Sequence, residues 1–123
     1  FNNEKEIASA EAAKAASDDK FLHHAIEIIE QNLSNTSFNV DMLAQASGMS
    51  RTQFFKKFNA VAGMQPNDYI RQYRLKRAAY LFNQGRADIA QVSYEVGFEY
   101  PNYFSRCFKE EFGKSPSDFI HKN

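Results

Sequence analysis

Two sets of side chains in this sequence have the chemistry to read a nucleic acid. Thr52, Lys56 and Asn59 form one, and Asn102, Arg106 and Lys109 form the other. Each combines a cation with amides or a hydroxyl. These groups match base edges and phosphates: Arg or Lys toward guanine, Asn toward adenine, Ser or Thr toward either. The spacing puts each set on one side of a helix. At about 100° per residue with Phe54 at zero, Thr52, Lys56 and Asn59 fall between roughly 140° and 200°. On the same wheel Phe58 at about 40° and Val61 at about −20° mark an apolar stripe. In the second set Phe104, Phe108 and Glu111 take the stripe's slots, and Asn102, Arg106 and Lys109 point outward. Phe55, near 100°, either packs against its neighbours or touches a thymine methyl. Its counterpart Ser105 is small and polar, so the two faces should read different sequences.

Catalytic chemistry has less to work with. His23, His24 and His121 are the only histidines, and His23 and His24 are adjacent rather than four apart, so no helical pair of metal ligands forms. The glycines Gly48, Gly63, Gly85, Gly97 and Gly113 are isolated and do not build a phosphate cradle. Cys107 lies at about −60° from Phe104 and reads as a small packed hydrophobe. No nucleophile, base and orienting group stand out, so no enzyme activity, cofactor or metal is expected.

The elements that carry the two faces are copies of one another. Phe54, Phe58, Gly63, Pro66, Asp68 and Ile70 recur as Phe104, Phe108, Gly113, Pro116, Asp118 and Ile120, each 50 positions on. Tyr69 recurs as Phe119 and Lys56 as Arg106, while Gly48 recurs as Gly97, 49 positions on. Two copies are too few for a solenoid, which needs about three. A duplicated small unit instead presents one kind of surface twice.

Within each copy the local signals are those of a helix, a tight turn and a second helix. Asn39 caps a short helix, Val40 to Ser47, which Gly48 ends with a left-handed residue. Ser50 and Gln53 form a capping box, and Met49 with Phe54 a hydrophobic staple, so a new helix starts almost at once and runs to Ala62. Pro66 and Asp68 open a long helix that Gly85 closes near Gln84. Asp88 and Gln91 cap a helix ending near Val96–Gly97, Pro101 opens one to Phe112, and Ser115, Pro116 and Asp118 start a short last one. Upstream, Phe21, Leu22, Ile26, Ile29 and Leu33 fall at helical spacing from Asp19. The expected fold is all-α, about seven helices, with two helix-turn-helix units joined by a long linker helix. Residues 1–18 are expected to be a linker or frayed helix from an upstream region. Residues 19–123 then form the double unit: 19–65 the first, 66–85 the linker helix, 86–123 the second.

Composition fits a DNA ligand once charge is read by position. The chain has 123 residues, 15 Lys+Arg and 15 Asp+Glu, hence no net charge. Residues 1–50 carry 3 basic against 8 acidic side chains, residues 51–109 carry 10 against 4, and residues 110–123 carry 2 against 3. The basic block covers both faces and the segment between them. One cysteine, no apolar run near the roughly 20 residues of a membrane span and no signal peptide point to the cytosol. A start at Phe1 without Met suggests a fragment of a longer protein. The linker helix, at about 1.5 Å per residue, is about 28 Å long. Major-groove faces on one side of B-DNA lie about 34 Å apart. One chain should therefore reach two adjacent grooves at an asymmetric operator.

These motifs carry a family resemblance. Ser50-Arg51 through Phe58, Arg74-Leu75-x-x-Ala78, Val96-Gly97-Phe98, Tyr103 through Lys109 and Gly113-x-x-Pro116 resemble the AraC family of bacterial transcription regulators over about residues 20–121. The resemblance implies two helix-turn-helix units bridged by a linker helix. It implies that Arg51, Thr52, Phe55 and Lys56 contact DNA from the first recognition helix, and Asn102, Tyr103, Ser105 and Arg106 from the second. It also implies a structural role for Arg74 and Leu75, a sensor or receiver domain upstream, and RNA polymerase as a further partner to test. Two positions depart from the pattern: Tyr100 stands where Asp or Ser is usual before Pro101, and Ser93 where Ala is usual. Tyr100 either weakens the cap or contacts DNA itself. The rival reading is a helical protein-interaction module with an apolar interface, which would barely respond to salt.

Overall fold

The computed structural model of the chain describes residues 2–121; residue 1 and residues 122–123, the outer ends of the predicted segments, lie outside the described residues. Seven helices follow one another: α1 (Asn2–Gln31), α2 (Val40–Ala46), α3 (Arg51–Ala62), α4 (Pro66–Asn83), α5 (Ile89–Glu95), α6 (Pro101–Phe112) and α7 (Pro116–His121). Among the described residues there is no strand. α2–α3 and α5–α6 are the two helix-turn-helix units, and α4 joins them.

The helix boundaries lie where local chemistry puts them. Asn39 accepts from the Met42 amide at 2.9 Å and opens α2. Ser50 and Gln53 close the capping box of α3, with Oγ accepting from the Gln53 amide at 3.2 Å and Oε1 from the Ser50 amide at 3.3 Å. Asp88 accepts from the Gln91 amide to start α5. Pro66 and Pro101 stand at the first positions of α4 and α6, where no N–H is needed.

Two cores form, and α4 belongs to both. The first gathers Ala25, Ile29, Leu33, Leu43, Phe54, Phe58 and Ile70; the second gathers Leu75, Ala78, Phe82, Val92, Val96, Phe104 and Phe108. The duplicated phenylalanines Phe54, Phe58, Phe104 and Phe108 are fully buried. The stripe bends at its end: Glu111 is exposed, and Phe112, one position on, packs on the second core with its ring 4.6 Å from that of Phe108. Phe119 of α7 approaches from that side and draws the apolar surface around the helix. Val61 is likewise only half-buried.

α1 runs without interruption across the expected boundary at residue 18, as one helix of 30 residues. Its first half has no Gly or Pro and is rich in Ala, the best helix former, so the backbone continues although nothing is buried. Side chains from Glu4 to Ser17 are exposed, and packing on the first core begins at Phe21 and Leu22. The change there is in what the helix touches.

Candidate nucleic-acid interface

The sequence-predicted residues of the first unit come together. Arg51, Thr52, Phe55, Lys56 and Asn59 line one open depression of about 440 Å³ along α3, and Gln65 completes it. Arg51, Thr52, Lys56 and Asn59 are exposed and Phe55 is half-buried. Phe55 packs on the first core and also carries the Arg51 guanidinium, whose Cζ sits 4.9 Å from the ring centroid. Arg51 pairs with Asp41 of α2 at 2.6 Å, with 62% and 58% of the two side chains exposed. A pair this exposed is worth little, roughly 0–1 kcal/mol, so a phosphate can displace the carboxylate at small cost. Gln65 escaped the sequence reading. It is the N-cap of α4 but makes no side-chain cap bond, which leaves its amide available.

The second face has the same polarity with different supports. Asn102, Tyr103, Arg106 and Lys109 are exposed and Ser105 is half-buried. Arg106 lies over the Tyr103 ring at 5.5 Å, and that ring rests near Phe98 at 6.0 Å. A hydrogen bond to Cys107 pushes the Tyr103 hydroxyl above its ordinary pKa. Cys107 is buried in the second core. Of the departures, Tyr100 makes no cap bond and leaves 65% of its surface in solvent. Ser93 is fully buried, with its hydroxyl donating to the Ala90 carbonyl at 2.7 Å.

The cations are unevenly paired. Among the described residues the ion pairs are Arg51–Asp41, Arg71–Asp68, Arg77–Glu30 and Arg86–Glu95. Lys56, Arg106 and Lys109 enter none of them. The outward faces of α3 and α6 thus keep Lys56, Arg106 and Lys109 without an acidic partner among the described residues, while much of the remaining basic block is paired internally. No group of three or more His, Cys, Asp or Glu placed to hold a metal occurs among the described residues.

Between the units lies an open cleft of about 450 Å³. Tyr103 reaches it from α6, Asn67, Arg71 and Arg74 from α4, and Tyr100 from the loop before α6. Arg74 is mostly buried, which pushes its pKa down, and its Nη2 donates to the Asn35 carbonyl at 3.1 Å. Its Nε is buried with no acceptor.

Seven helices arranged as two capped helix-turn-helix units, each with an outward face of cations and amides, define a double helix-turn-helix DNA-binding domain. The helix-turn-helix domain family matches residues 43–122, and the chain belongs to the AraC family of transcription regulators. It is 40% identical, over 99% of its length, to a protein of Formosa agariphila named histidine kinase P4, and it spans 9% of that protein. It superposes on an AraC-type transcriptional regulator from Chromobacterium violaceum with a TM-score of 0.77 and 27% identity, covering 87% of this chain and 95% of that one. The C-terminal domain of the two-component response regulator yesN from Fusobacterium nucleatum matches with a TM-score of 0.74 and 25% identity, over 78% and 93% of the two chains. Among the described residues no helix is long and apolar enough to cross a membrane.

Proposed function

We propose that this chain is the DNA-binding output domain of a larger cytoplasmic signalling protein, and that α3 and α6 enter adjacent major grooves of one duplex at an asymmetric operator. The observation that carries this reading is the pair of duplicated faces whose cations, Lys56 on one and Arg106 with Lys109 on the other, have no acidic partner among the described residues. Base reading falls to Thr52, Lys56 and Asn59 on α3, and to Asn102, Ser105 and Arg106 on α6. Arg51, Tyr103 and Lys109 hold the backbone, and Phe55 offers a ring edge to a thymine methyl. α4, about 27 Å long at 1.5 Å per residue, sets the scale of the separation.

Two likenesses support the role as an output domain. One is to a small part of a protein named as a histidine kinase, the other to the C-terminal domain of a response regulator. The exposed first half of α1 is then the connection to a sensor or receiver region. RNA polymerase is the further partner of a regulator bound at a promoter. Selection from random duplex DNA at 50 and 200 mM salt tests the reading. A protein making 6–10 phosphate contacts loses about 10³–10⁵ in affinity across that range while keeping a recoverable consensus. Weak, salt-indifferent binding with no consensus would favour a protein-interaction module.

A further inference from the structure

Gly48 and Gly97 occupy the same place in the two copies. Both are left-handed, at φ 71° and 97°. Both turns close with the same hydrogen bonds: Gly48 to Gln45 and Met49 to Ala44 in the first, Gly97 to Tyr94 and Phe98 to Ser93 in the second. The backbone requirement is therefore equal, but the surroundings are not. A Cβ on Gly48 would meet nothing within 4 Å, whereas on Gly97 it would lie 2.2 Å from the Leu33 carbonyl oxygen and 2.6 Å from Arg74 Nε.

Those neighbours come from three parts of the chain. Leu33 follows α1 and belongs to the first core, Arg74 is on α4, and Gly97 is the turn of the second unit. Arg74 also donates to Asn35, two residues past Leu33. One turn further along α4, Arg77 pairs with Glu30 at the end of α1. The end of α1 is thus fastened to α4 at two successive turns and pressed against the second unit's turn. The flat guanidinium fills the gap beside Gly97, and its Nε forgoes an acceptor there. Hydrogen bonding alone does not account for that placement, but close fit does.

We infer that Gly97 and Arg74 clamp the two units at one angle, and so select DNA by the number of base pairs between its two half-sites. α4 alone fixes how far apart the units stand along its axis but resists twist between them only through side-chain packing. The Gly97 contact lies off that axis and stops the rocking. Both are positioning residues; neither needs to touch a base. The inference rests on the DNA-reading proposal above.

The experiment places the selected half-sites at their natural spacing and at one base pair more or fewer, which moves a site by about 3.4 Å and turns it by about 35°. The unaltered chain should bind the shifted duplexes at least tenfold more weakly. Gly97→Ala and Arg74→Met should bind all three within about threefold, while Gly48→Ala keeps the original profile. Circular dichroism and melting establish that each variant is folded. In parallel, nitroxides at Ala60 and Lys114, replaced by Cys in a Cys107→Ala background, report the separation of the units without DNA. Their distance distribution should be narrow in the parent and broaden in Gly97→Ala and in Arg74→Met. An unbroadened distribution in the folded variants, or an unchanged spacing profile, overturns the clamp. Absence of any duplex binding by the parent overturns the DNA-reading proposal instead.

Discussion

Phe58→Ala should remove much of the stability of the first unit. Phe58 has no exposed surface, and its ring lies 5.5 Å from Phe54, 5.2 Å from Tyr69 and 6.4 Å from Phe21. Truncating a buried Phe costs about 3–5 kcal/mol, the transfer term plus the cavity left behind. Three ring partners put this site in the upper part of that range, because aromatic pairs add about 0.5–1.5 kcal/mol beyond buried area. Small domains have about 5–15 kcal/mol in total, so at least roughly a quarter is lost. With a urea m-value of about 2 kcal/mol/M, the midpoint should fall by roughly 2 M. Urea titration followed by far-UV circular dichroism measures it. Its duplicate, Phe108→Ala, has rings of Phe82, Phe104, Phe112 and Phe119 around it and should cost at least as much. A midpoint lowered by less than about 0.5 M, in a variant that has lost DNA binding, would place Phe58 on the reading face and refute the core assignment.

Arg106→Ala should cost about 1–3 kcal/mol and relax preference at one base position; equal weakening on specific and random duplexes would exclude base reading. Gly48→Ala should destabilise by about 1–2 kcal/mol, the left-handed penalty alone, since a Cβ there meets nothing; a much larger loss in thermal melts would contradict the open surroundings. Burial works against the Glu30 carboxylate, but hydrogen bonds from Arg77 and Tyr73 outweigh it and hold its pKa below the ordinary range. A folded-state pKa lower than the unfolded one gives stability that is complete above about pH 5 and lost as pH falls through the depressed value. Glu30→Gln should therefore be less stable than the parent at neutral pH and match it in strong acid, as read by urea midpoints across pH; a gap that widens on acidification would reverse the assigned sign.

What was legible in the sequence was local or periodic. The Ser50–Gln53 box, the Asn39 and Asp88 caps and the two N-terminal prolines act within four residues, so type and order suffice to read them. The wheel placed Phe54, Phe58, Phe104 and Phe108 correctly because both units pack one helix face. It failed at Glu111, where α7 pulls the core toward Phe112, a position set by an element the wheel does not contain. The first half of α1 carried no apolar stripe, yet helix propensity alone continues it to Asn2. Phe55, left between packing and DNA, does pack on the core while still lining the α3 depression. Least legible was the meeting of Leu33, Arg74 and Gly97. Residues so far apart share no period, and the two glycines look alike until their neighbours are known.

Because α4 gives Ile70 to one core and Leu75, Ala78 and Phe82 to the other, neither unit ends at a loop. A chimera that exchanges recognition heads with a relative by splicing at Gly63 or Gly85 would cut one hydrophobic cluster away from part of its own wall. The workable crossover lies inside the helix, between Ile70 and Leu75. There Arg74 would have to travel with whichever parent supplies the carbonyl of Asn35.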